Sequence, residues 1–355
     1  MNTRLAVCFG TRPQVIKVSV LLAALRKHWP VTAVDTGQHY DFELNELLYR
    51  QLQIPMPDHF LGVGSGEAAQ QTAAVMTGFA DLLRRNRPAA VVVVGDTNST
   101  LGAALAANKA GIPLVHVEAG LRASEPNLPE EANRRVVDVL AQLLCAPCSA
   151  AAARLQAEGV PGKVVNTGDI ARDALMRHLS LAPAPPVQGP FALVTIHRAS
   201  ITGDPESLRS VLDGLRDLDM PVLFPTHPRT RDALERFGLL SHVPGSVCLT
   251  PPIGYLEAIA AVRDAAVVIT DSGGLQREAY WVGTPCVTLR AETEWEETLD
   301  CSANVLVAPN EARETLRQVA IEQQRRRQEG SWDRDAYGDG RAAARIVAAV
   351  SRLLD

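Results

Sequence analysis

The segments LAVCFGTRPQVIK (residues 5–17), AVVVVGDTNST (90–100) and VVITDSGGLQREA (267–279) decide the fold. Each begins with an apolar run rich in β-branched residues and continues through a sharp polar turn into a helical pattern. This order predicts strand, turn and helix units of an open α/β sheet. Such sheets bind ligands at the carboxyl ends of their strands, so the three turns are the expected site regions.

The same alternation repeats in two blocks along the 355 residues, which is more chain than one typical core needs. The segment LAPAPPVQGP (181–190) separates the blocks, and its four prolines disfavour helix and sheet. We therefore predict two doubly wound, Rossmann-like α/β domains, residues 1–180 and 190–340. A final helix is predicted over 341–355. The sequence does not decide which of the two domains it packs against.

Composition excludes several classes of function. A formal net charge of -5 with 21% charged residues gives no basic surface for nucleic acid. No run approaches the roughly 18 apolar residues of a membrane span, and the N-terminus lacks the pattern of a secretion signal. Six scattered cysteines in a chain of this size indicate a reducing cytoplasm. We expect neither a nucleic-acid nor a membrane partner.

Cofactor motifs are missing as well. No GxGxxG follows a predicted strand, and neither a GxxxxGK[ST] nor an HExxH sequence occurs. Cys145 and Cys148 have CxxC spacing, but no second pair lies at the distance of a zinc site. We predict no cofactor and no metal site.

Two of the turns are suited to bind anions. Arg12 and Lys17 flank the predicted start of the first helix, where a phosphate is favoured; the alternative is a tight turn with two solvated cations. The DSGG turn can expose successive backbone amides of Ser272, Gly273 and Gly274. Two anion-binding turns suit a diphosphate. Glu278, one helical turn later, is either a ribose ligand or an exposed helix residue.

Acidic residues form a second group after the strands of the first block: Asp96, Glu118, Glu130 and Glu131. Carboxylates that end neighbouring buried strands are costly unless they serve a ligand or a partner. Metal binding and catalytic proton transfer both fit such crowding. In the structural alternative, Asp96 caps the next helix and Glu118 pairs with Arg122 or Arg134. Glu130 and Glu131 would then be ordinary first-turn acids.

Histidines also follow the predicted strands, at His39, His116, His197 and His227. A lone buried histidine is usually structural, but four at strand ends favour a site. His197 stands out because Arg198 follows it in the turn of the second block.

Ten blocks of this sequence, in order from about residue 5 to 310, resemble the non-hydrolysing UDP-N-acetylglucosamine 2-epimerase family. The blocks are GTRPQVIK, TGQHYD, VVGDTNSTLGAALAA, VHVEAGLRA, PEEANRR, NTGDIARDAL, TIHR, PTHP, PPIGYLE and DSGGLQREAYWVGTPCVTLRAETEWEET. The resemblance implies two domains of the glycosyltransferase-B type, with the sugar and the catalytic carboxylates on the first and UDP on the second. It also implies a homodimer and an isomerase acting on a UDP-sugar.

The implied reaction inverts carbon 2 of UDP-N-acetylglucosamine or a related UDP-2-acetamido sugar. UDP is eliminated as the C2 proton is removed, and it adds again to the glycal with protonation on the opposite face. By position, the resemblance gives four catalytic residues, which are Asp96, Glu118, Glu130 and His197. The implied substrate-binding residues are Arg12, Lys17, Gln38, His39, Arg134, His227, Ser272, Gly273, Gly274 and Glu278. Which carboxylate takes the proton stays open.

The sequence also departs from the family. Ser200 and Ile201 follow His197-Arg198 where the family has Glu and Asn, and Arg277 replaces a Glu in the DSGG block. TGQHYD and ETEWEET are closer to the branch that acts on UDP-2,3-diacetamido-glucuronic acid. Tyr40 also differs beside the Gln38-His39 pair, which serves allosteric contacts in some members. The alternative is a diverged member that makes or breaks the anomeric bond of another activated sugar or nucleotide, by hydrolysis or glycosyl transfer.

Overall fold

The computed structural model describes residues 3–38, 42–123, 128–184, 187–329 and 332–355. The chain divides into two compact units. The N-terminal unit comprises Met1–His178 together with Asp335–Asp355, and the C-terminal unit comprises Leu179–Arg334.

The N-terminal unit is built on a seven-stranded parallel sheet with the order β3-β2-β1-β4-β5-β6-β7. Its strands are β1 (Leu5–Phe9), β2 (Val31–Asp35), β3 (His59–Phe60), β4 (Ala90–Val94), β5 (Leu114–Val117), β6 (Leu143–Ala146) and β7 (Lys163–Asn166). Its helices are α1 (Arg12–Leu25), α2 (Phe42–Gln51), α3 (Ala68–Asn86), α4 (Asn98–Lys109), α5 (Pro129–Leu140), α6 (Ser149–Ala157) and α7 (Ile170–Leu179).

The C-terminal unit repeats this plan with six parallel strands in the order β10-β9-β8-β11-β12-β13. The strands are β8 (Ala192–Thr195), β9 (Val222–Pro225), β10 (Val247–Thr250), β11 (Val267–Thr270), β12 (Cys286–Thr288) and β13 (Asn304–Leu306). The helices are α8 (Ala199–Thr202), α9 (Pro205–Arg216), α10 (Pro228–Arg236), α11 (Tyr255–Asp264), α12 (Gly273–Val282), α13 (Glu297–Asp300) and α14 (Ala312–Glu329), with 3-10 turns at Leu240–His242 and Pro309–Glu311.

Burial explains why the apolar runs form the central strands. Every residue of β1, β4 and β11 is buried, as expected for parallel strands that are covered on both faces. Local capping fixes several helix starts. In α9, for example, Pro205 occupies the first turn and Asp204 accepts from the backbone amides of Glu206 and Ser207.

The final helix, α15 (Ala342–Leu354), belongs to the N-terminal unit. Ile346 and Val350 are fully buried on its inner face. The carboxylate of Asp173, on α7, accepts from the amides of Ala342 and Ala343 and so caps the start of the helix. The sequence did not decide which domain this helix packs against, and the structure shows that it is the N-terminal one.

Four short strands were not predicted from the sequence: β3, β6, β7 and β13. Each has four residues or fewer, and β3 and β7 are sheet edges that bury little. A buried apolar pattern is therefore absent from β3 and β7. Across the ranges described above, none of the helices has the length and apolar character needed to span a bilayer.

Candidate active site

In both units the polar turns lie where the strand order reverses. β1 and β4 are neighbours in the N-terminal unit, and β8 and β11 are neighbours in the C-terminal unit. Loops that leave such neighbours diverge to opposite sides of the sheet and open a crevice at the carboxyl end. The GTRP and GDTNS turns line the first crevice, and the HR and DSGG turns line the second.

The crevice of the N-terminal unit contains a cavity of about 410 Å³. Its lining includes four residues that the sequence analysis named as site residues, together with Gly95, which directly precedes one of them. These residues are Lys17, Gln38, Gly95, Asp96 and Glu130. Arg12, by contrast, is the exposed first residue of α1 and is not part of the lining. The cavity lining thus includes two of the three implied catalytic acids, Asp96 and Glu130, and one of the three implied binding cations, Lys17.

Asp96 is held by Arg134. The guanidinium Nη2 and Nε lie 2.6 Å and 2.7 Å from Asp96 Oδ2, so two donors of Arg134 converge on one carboxylate oxygen in a charge-assisted contact. Asp96 does not cap α4, because Thr97 is the N-cap residue and accepts from the amide of Thr100. The structural alternative for Asp96 is therefore wrong, and its carboxylate stays at the cavity.

Glu118 is paired with Lys17 rather than with Arg122 or Arg134. Lys17 Nζ lies 2.5 Å from Glu118 Oε2, and the Glu118 side chain is only 4% exposed. Its backbone has φ +66°, a left-handed conformation that costs a non-glycine residue roughly 1–2 kcal/mol. Such strain is typical of functional sites, and this carboxylate also adjoins the turn at Gly95, where an added Cβ would lie 3.4 Å from Glu118 Oε2.

Glu130 and Glu131 have different surroundings although both begin α5. Glu130 is exposed and lines the cavity. Glu131 is buried and accepts from the amide of Ala123 and from Arg135 Nε at 2.9 Å. Both residues lie in the first turn of α5, as the structural alternative expected, and the buried Glu131 has a structural role.

Two glutamines tie the turns of the N-terminal unit together. Gln14 accepts from the amide of Gly10 and donates to Val94 O at 2.7 Å, so it joins the turn after β1 to the turn after β4. Gln38 accepts from the amide and hydroxyl of Ser99. His39 and Tyr40 lie outside the described residues.

In the C-terminal unit, the buried carboxylate of Asp271 organises the turn after β8. Oδ2 accepts from the amides of His197 and Arg198, both at 2.8 Å, and Oδ1 lies 3.0 Å from His197 Nδ1. Burial opposes its ionisation, but the hydrogen bond and charge of His197 hold the pKa of Asp271 below its usual range. The His197 ring is thereby oriented with Nε2 directed away from Asp271.

His197, His227 and Ser272 line one cavity of about 250 Å³ in this unit. The two imidazole rings are 5.9 Å apart. His227 also caps α10, where its Nδ1 accepts from the amide of Arg229. Burial, together with the charges of His197 and Arg229, lowers the pKa of His227, so this ring is neutral at physiological pH. The remaining lining is mostly apolar, with Pro225, Pro252, Ile253 and Leu275 among it.

The DSGG turn begins α12, as predicted. Ser272 is the N-cap residue and accepts from the amide of Leu275. A Cβ on Gly273 would lie 2.9 Å from Glu294 Oε1 and 3.1 Å from Trp295 Nε1, so an alanine there requires these side chains to shift. Gly274 is exposed and has ordinary space around it. Gly273 and Gly274 adjoin the cavity residue Ser272 without belonging to the lining.

Glu278 and Arg277 lie one turn further along α12. Glu278 is half-buried, and burial together with its charge raises the pKa of Tyr255. Arg277, the departure from the family pattern, is buried with its guanidinium carbon 3.7 Å from the ring centroid of Trp295. This cation–π contact makes Arg277 a packing residue of the loop that carries Glu294.

The departure after His197-Arg198 has a simple explanation. Ile201 is fully buried in the core of the C-terminal unit, where it packs in the same cluster as Leu208 and Val211. Ser200 is exposed in the first turn of α8. Position 201 of this chain therefore serves the core, and only position 200 faces solvent.

Sequence reasoning missed the residues that orient the predicted ones. Gln14, Asn133, Asp138 and Asp271 are all buried polar residues with specific partners. Asp271 had a signal, because it directly precedes the DSGG turn at the end of β11. The others lie inside helical patterns, where a polar residue is usually solvated.

Relations to known proteins agree with this architecture. A profile described as UDP-N-acetylglucosamine 2-epimerase matches residues 23–351. The UDP-2,3-diacetamido-2,3-dideoxy-D-glucuronate 2-epimerase of Pseudomonas aeruginosa is 38% identical over 363 residues, which cover 99% of this chain and 100% of that protein. The crystal structure of the Methanocaldococcus jannaschii UDP-GlcNAc 2-epimerase in complex with UDP-GlcNAc and UDP is 33% identical with a TM-score of 0.86, covering 98% of this chain and 99% of that one.

A third relative is the UDP-GlcNAc 2-epimerase of Neisseria meningitidis bound to UDP-GlcNAc, with a TM-score of 0.86, 30% identity and coverage of 98% and 100%. The predicted fold class is confirmed: the two parallel-sheet units are of the glycosyltransferase-B type. The chain belongs to the UDP-N-acetylglucosamine 2-epimerase family, as the sequence blocks indicated.

Proposed function

We propose that this protein is an isomerase that inverts C2 of a UDP-2-acetamido sugar by eliminating UDP and adding it again. One observation carries the proposal beyond family membership. The N-terminal cavity is bordered by Asp96 and Glu130, and the ion pair of Glu118 and Lys17 adjoins it at Gly95. Proton removal and return at one carbon need acidic groups on both faces of the sugar ring, and this cavity has Asp96 and Glu130 in its lining with Glu118 beside it.

The proposed roles follow from the chemistry of the step. C2 carries no adjacent carbonyl, so its proton leaves only as the bond from C1 to the UDP oxygen breaks, which gives a 2-acetamidoglycal and free UDP. Re-addition forms that bond again while a proton returns to the opposite face of C2. We assign Asp96, Glu118 and Glu130 to this proton traffic, with Arg134 and Lys17 holding two of them. His197 is the catalytic residue that we assign to the C-terminal unit.

The nucleotide is assigned to the C-terminal unit. A helix N-terminus with Ser272, Gly273 and Gly274 offers backbone amides to a diphosphate, and the apolar lining near Pro252 and Ile253 suits a base. Glu278 is proposed as the ribose ligand. Arg12, Gln38, His39 and His227 complete the proposed substrate-binding residues.

The identity of the sugar is the finer part of the proposal. The full-length Pseudomonas relative acts, by its name, on UDP-2,3-diacetamido-2,3-dideoxy-D-glucuronate, whereas the structural relatives are UDP-GlcNAc 2-epimerases. The TGQHYD and ETEWEET sequences support the diacetamido-glucuronate as the first substrate to test, with UDP-GlcNAc as the comparison.

The deciding experiment is incubation of the purified protein with each UDP-sugar in deuterated water. C2 inversion predicts a product with deuterium at C2, together with traces of glycal and UDP. Release of free sugar, or a new glycoside, without C2 exchange would instead support the alternative, in which a diverged member makes or breaks an anomeric bond.

Asp96→Asn tests the assigned acid. The amide keeps the size of the side chain and one acceptor for Arg134 but cannot accept a proton, so C2 exchange should fall at least about 10²-fold while UDP still binds. Asp81→Asn, at a surface position of α3 with a 55% exposed side chain, is the matched control. Unchanged exchange in Asp96→Asn would remove Asp96 from the mechanism.

Two further proposals concern the state of the protein. We propose a homodimer, by analogy with the family, and light scattering coupled to gel filtration measures it directly. We propose a cytoplasmic location because all six cysteines are free thiols, four of them buried. Cell fractionation tests this second proposal.

A further inference from the structure

The loop that carries Asp96 is held through its backbone. Three successive carbonyl oxygens each contact a side-chain nitrogen from a different element. The contacts are Gln14 Nε2 of α1 to Val94 O at 2.7 Å, His116 Nε2 of β5 to Gly95 O at 2.8 Å, and Asn133 Nδ2 of α5 to Asp96 O at 2.9 Å. Gln14 and Asn133 are neutral amides. His116 is the titratable member of the three.

The partners of His116 define its protonation. The ring is fully buried, with Nδ1 2.7 Å from Asp138 Oδ1 and Nε2 2.8 Å from the Gly95 carbonyl. A carbonyl oxygen accepts only, and so does an ionised carboxylate. A neutral imidazole has a single N–H and satisfies one of the two contacts, whereas an imidazolium satisfies both.

Asp138 is itself kept ionised. Its second oxygen accepts from the amide of Gly120 at 3.2 Å and from Arg122 Nη1 at 2.8 Å. These two donors stabilise the ionised form of the Asp138 carboxylate. Burial opposes the charge on both partners, but the attraction between them lowers the pKa of Asp138 and raises the pKa of His116. Asp96 contributes to the rise at His116 in the same direction.

We propose that His116 is a permanent imidazolium and a positioning residue. It holds the Gly95 carbonyl, and Glu118 follows it by two residues in the chain, so His116 fixes the position of Asp96 relative to Glu118. The charged groups that act on it are Asp138 on α5 and Asp96 on the adjoining loop, with Arg122 on the far side of Asp138. Loss of the Nε2 proton would turn a lone pair toward the carbonyl oxygen and remove the middle one of the three contacts that hold the loop. The catalytic part of this inference rests on the proposed function, but the protonation part does not.

Nitrogen NMR of the wild-type protein tests the protonation. Histidine labelled with ¹⁵N gives separate signals for protonated and unprotonated ring nitrogens, and the signal missing in His116→Gln identifies His116 among the eight histidines. Both nitrogens should stay protonated as the pH rises past about 6.5 and through neutrality, where an ordinary histidine loses one proton. A neutral ring in this range would overturn the proposal whatever the enzyme's substrate.

A matched pair of variants tests the positioning. In His116→Gln the amide nitrogen occupies the place of Nε2 and keeps the bond to Gly95, whereas in His116→Asn it occupies the place of Nδ1 and keeps only Asp138. We expect kcat for C2 exchange to fall roughly 10²-fold in His116→Asn with KM nearly unchanged, since small displacements of a reacting group cost that much. His116→Gln should retain at least about tenfold more activity than His116→Asn.

Asp138→Asn adds a pH readout. Without the carboxylate, burial lowers the pKa of His116, so kcat should fall as pH rises through a range in which the wild-type rate is flat. Equal losses in the two His116 variants, or losses that follow their unfolding midpoints, would reduce His116 to a packing residue. Wild-type-like pH dependence in folded Asp138→Asn would contradict the proposal as well.

Discussion

Asp271→Asn is the substitution that separates charge from shape in the C-terminal unit. Asp271 is completely buried, and its Oδ2 accepts two backbone amides at 2.8 Å while Oδ1 lies 3.0 Å from His197 Nδ1. Asparagine fits the same space. Its oxygen can still accept from the two amides, but its NH₂ group must then face His197 Nδ1.

The stability loss can be worked from these contacts. A hydrogen bond to a charged acceptor contributes about 1.5–3 kcal/mol and a neutral one about 1 kcal/mol, so two weakened bonds predict a loss of roughly 2 kcal/mol. Because the folded-state pKa of Asp271 is lowered, its stabilisation is present above the unfolded value near pH 3.9 and is lost as pH falls through the folded value. The difference between variant and wild type should therefore disappear in acid.

Intrinsic fluorescence gives the assay, since Trp281, Trp295 and Trp332 belong to the unit that contains Asp271 and only Trp29 to the other. Urea unfolding followed in this way should show the roughly 2 kcal/mol loss near pH 7. Asp232→Asn, the same change at an exposed position of α10, should stay within about 0.5 kcal/mol of wild type.

The substitution also reverses the tautomer of His197. Ionised Asp271, with Oδ1 3.0 Å from His197 Nδ1, favours a proton on Nδ1, so that a neutral ring has its lone pair on Nε2; asparagine offers an N–H to Nδ1 and favours the proton on Nε2. The equivalent change in the Ser-His-Asp triad lowers kcat roughly 10⁴-fold. We expect a loss of at least about 10²-fold in C2 exchange. A variant that unfolds like the wild type at neutral pH and exchanges at the wild-type rate would refute both the ionised state of Asp271 and the role of its contact with His197.

Two further substitutions test the same unit. Gly273→Ala should lower the free energy of unfolding by about 1–3 kcal/mol and weaken UDP binding in calorimetry, because its Cβ meets Glu294 Oε1 at 2.9 Å. The neighbouring Gly274→Ala, whose nearest contact would be 3.7 Å, should unfold like wild type, and equal losses in the two would contradict the packing argument. Ile201→Asn, which restores the family's residue, should cost about 2–5 kcal/mol because it puts an amide into the core, whereas Ser200→Glu should be tolerated. Circular dichroism melts distinguish these outcomes, and a stable, more active Ile201→Asn would show that position 201 belongs to the site.

The fold could be predicted where fully buried strands appear in the sequence as continuous apolar runs. The strands β1, β4 and β11 are completely buried and read as unbroken β-branched runs, so each was visible in the sequence together with its turn. The edge strand β7 is exposed or half-buried along its length and has no such pattern. β7 is a strand because it pairs with β6, and this pairing cannot be inferred from a single sequence.

The candidate site was predictable by residue type and not by partner. Acids after buried strands predicted functional carboxylates at Asp96 and Glu118, and both lie at the expected crevice. Their cations could not be inferred, since Arg134 is 38 residues from Asp96 and Lys17 is 101 from Glu118. Lys17, expected at a diphosphate, proved to be the partner of Glu118 because β1 and β5 flank the same strand.

Helix α5 shows where the apolar period of a helix does not identify the buried face. Three of its four buried residues are polar, namely Glu131, Asn133 and Asp138 beside Val137, whereas Val136 and Val139 are 40% and 57% exposed. The usual rule, which turns the apolar face inward, predicts the opposite orientation. The inward face is polar because it must meet Arg122, His116 and the backbone of the Asp96 loop, and a buried polar group is stable only when such partners exist. A helix that buries polar residues and exposes apolar ones beside strand ends is thus itself a sign of a functional site. It becomes readable only once the sheet order is known.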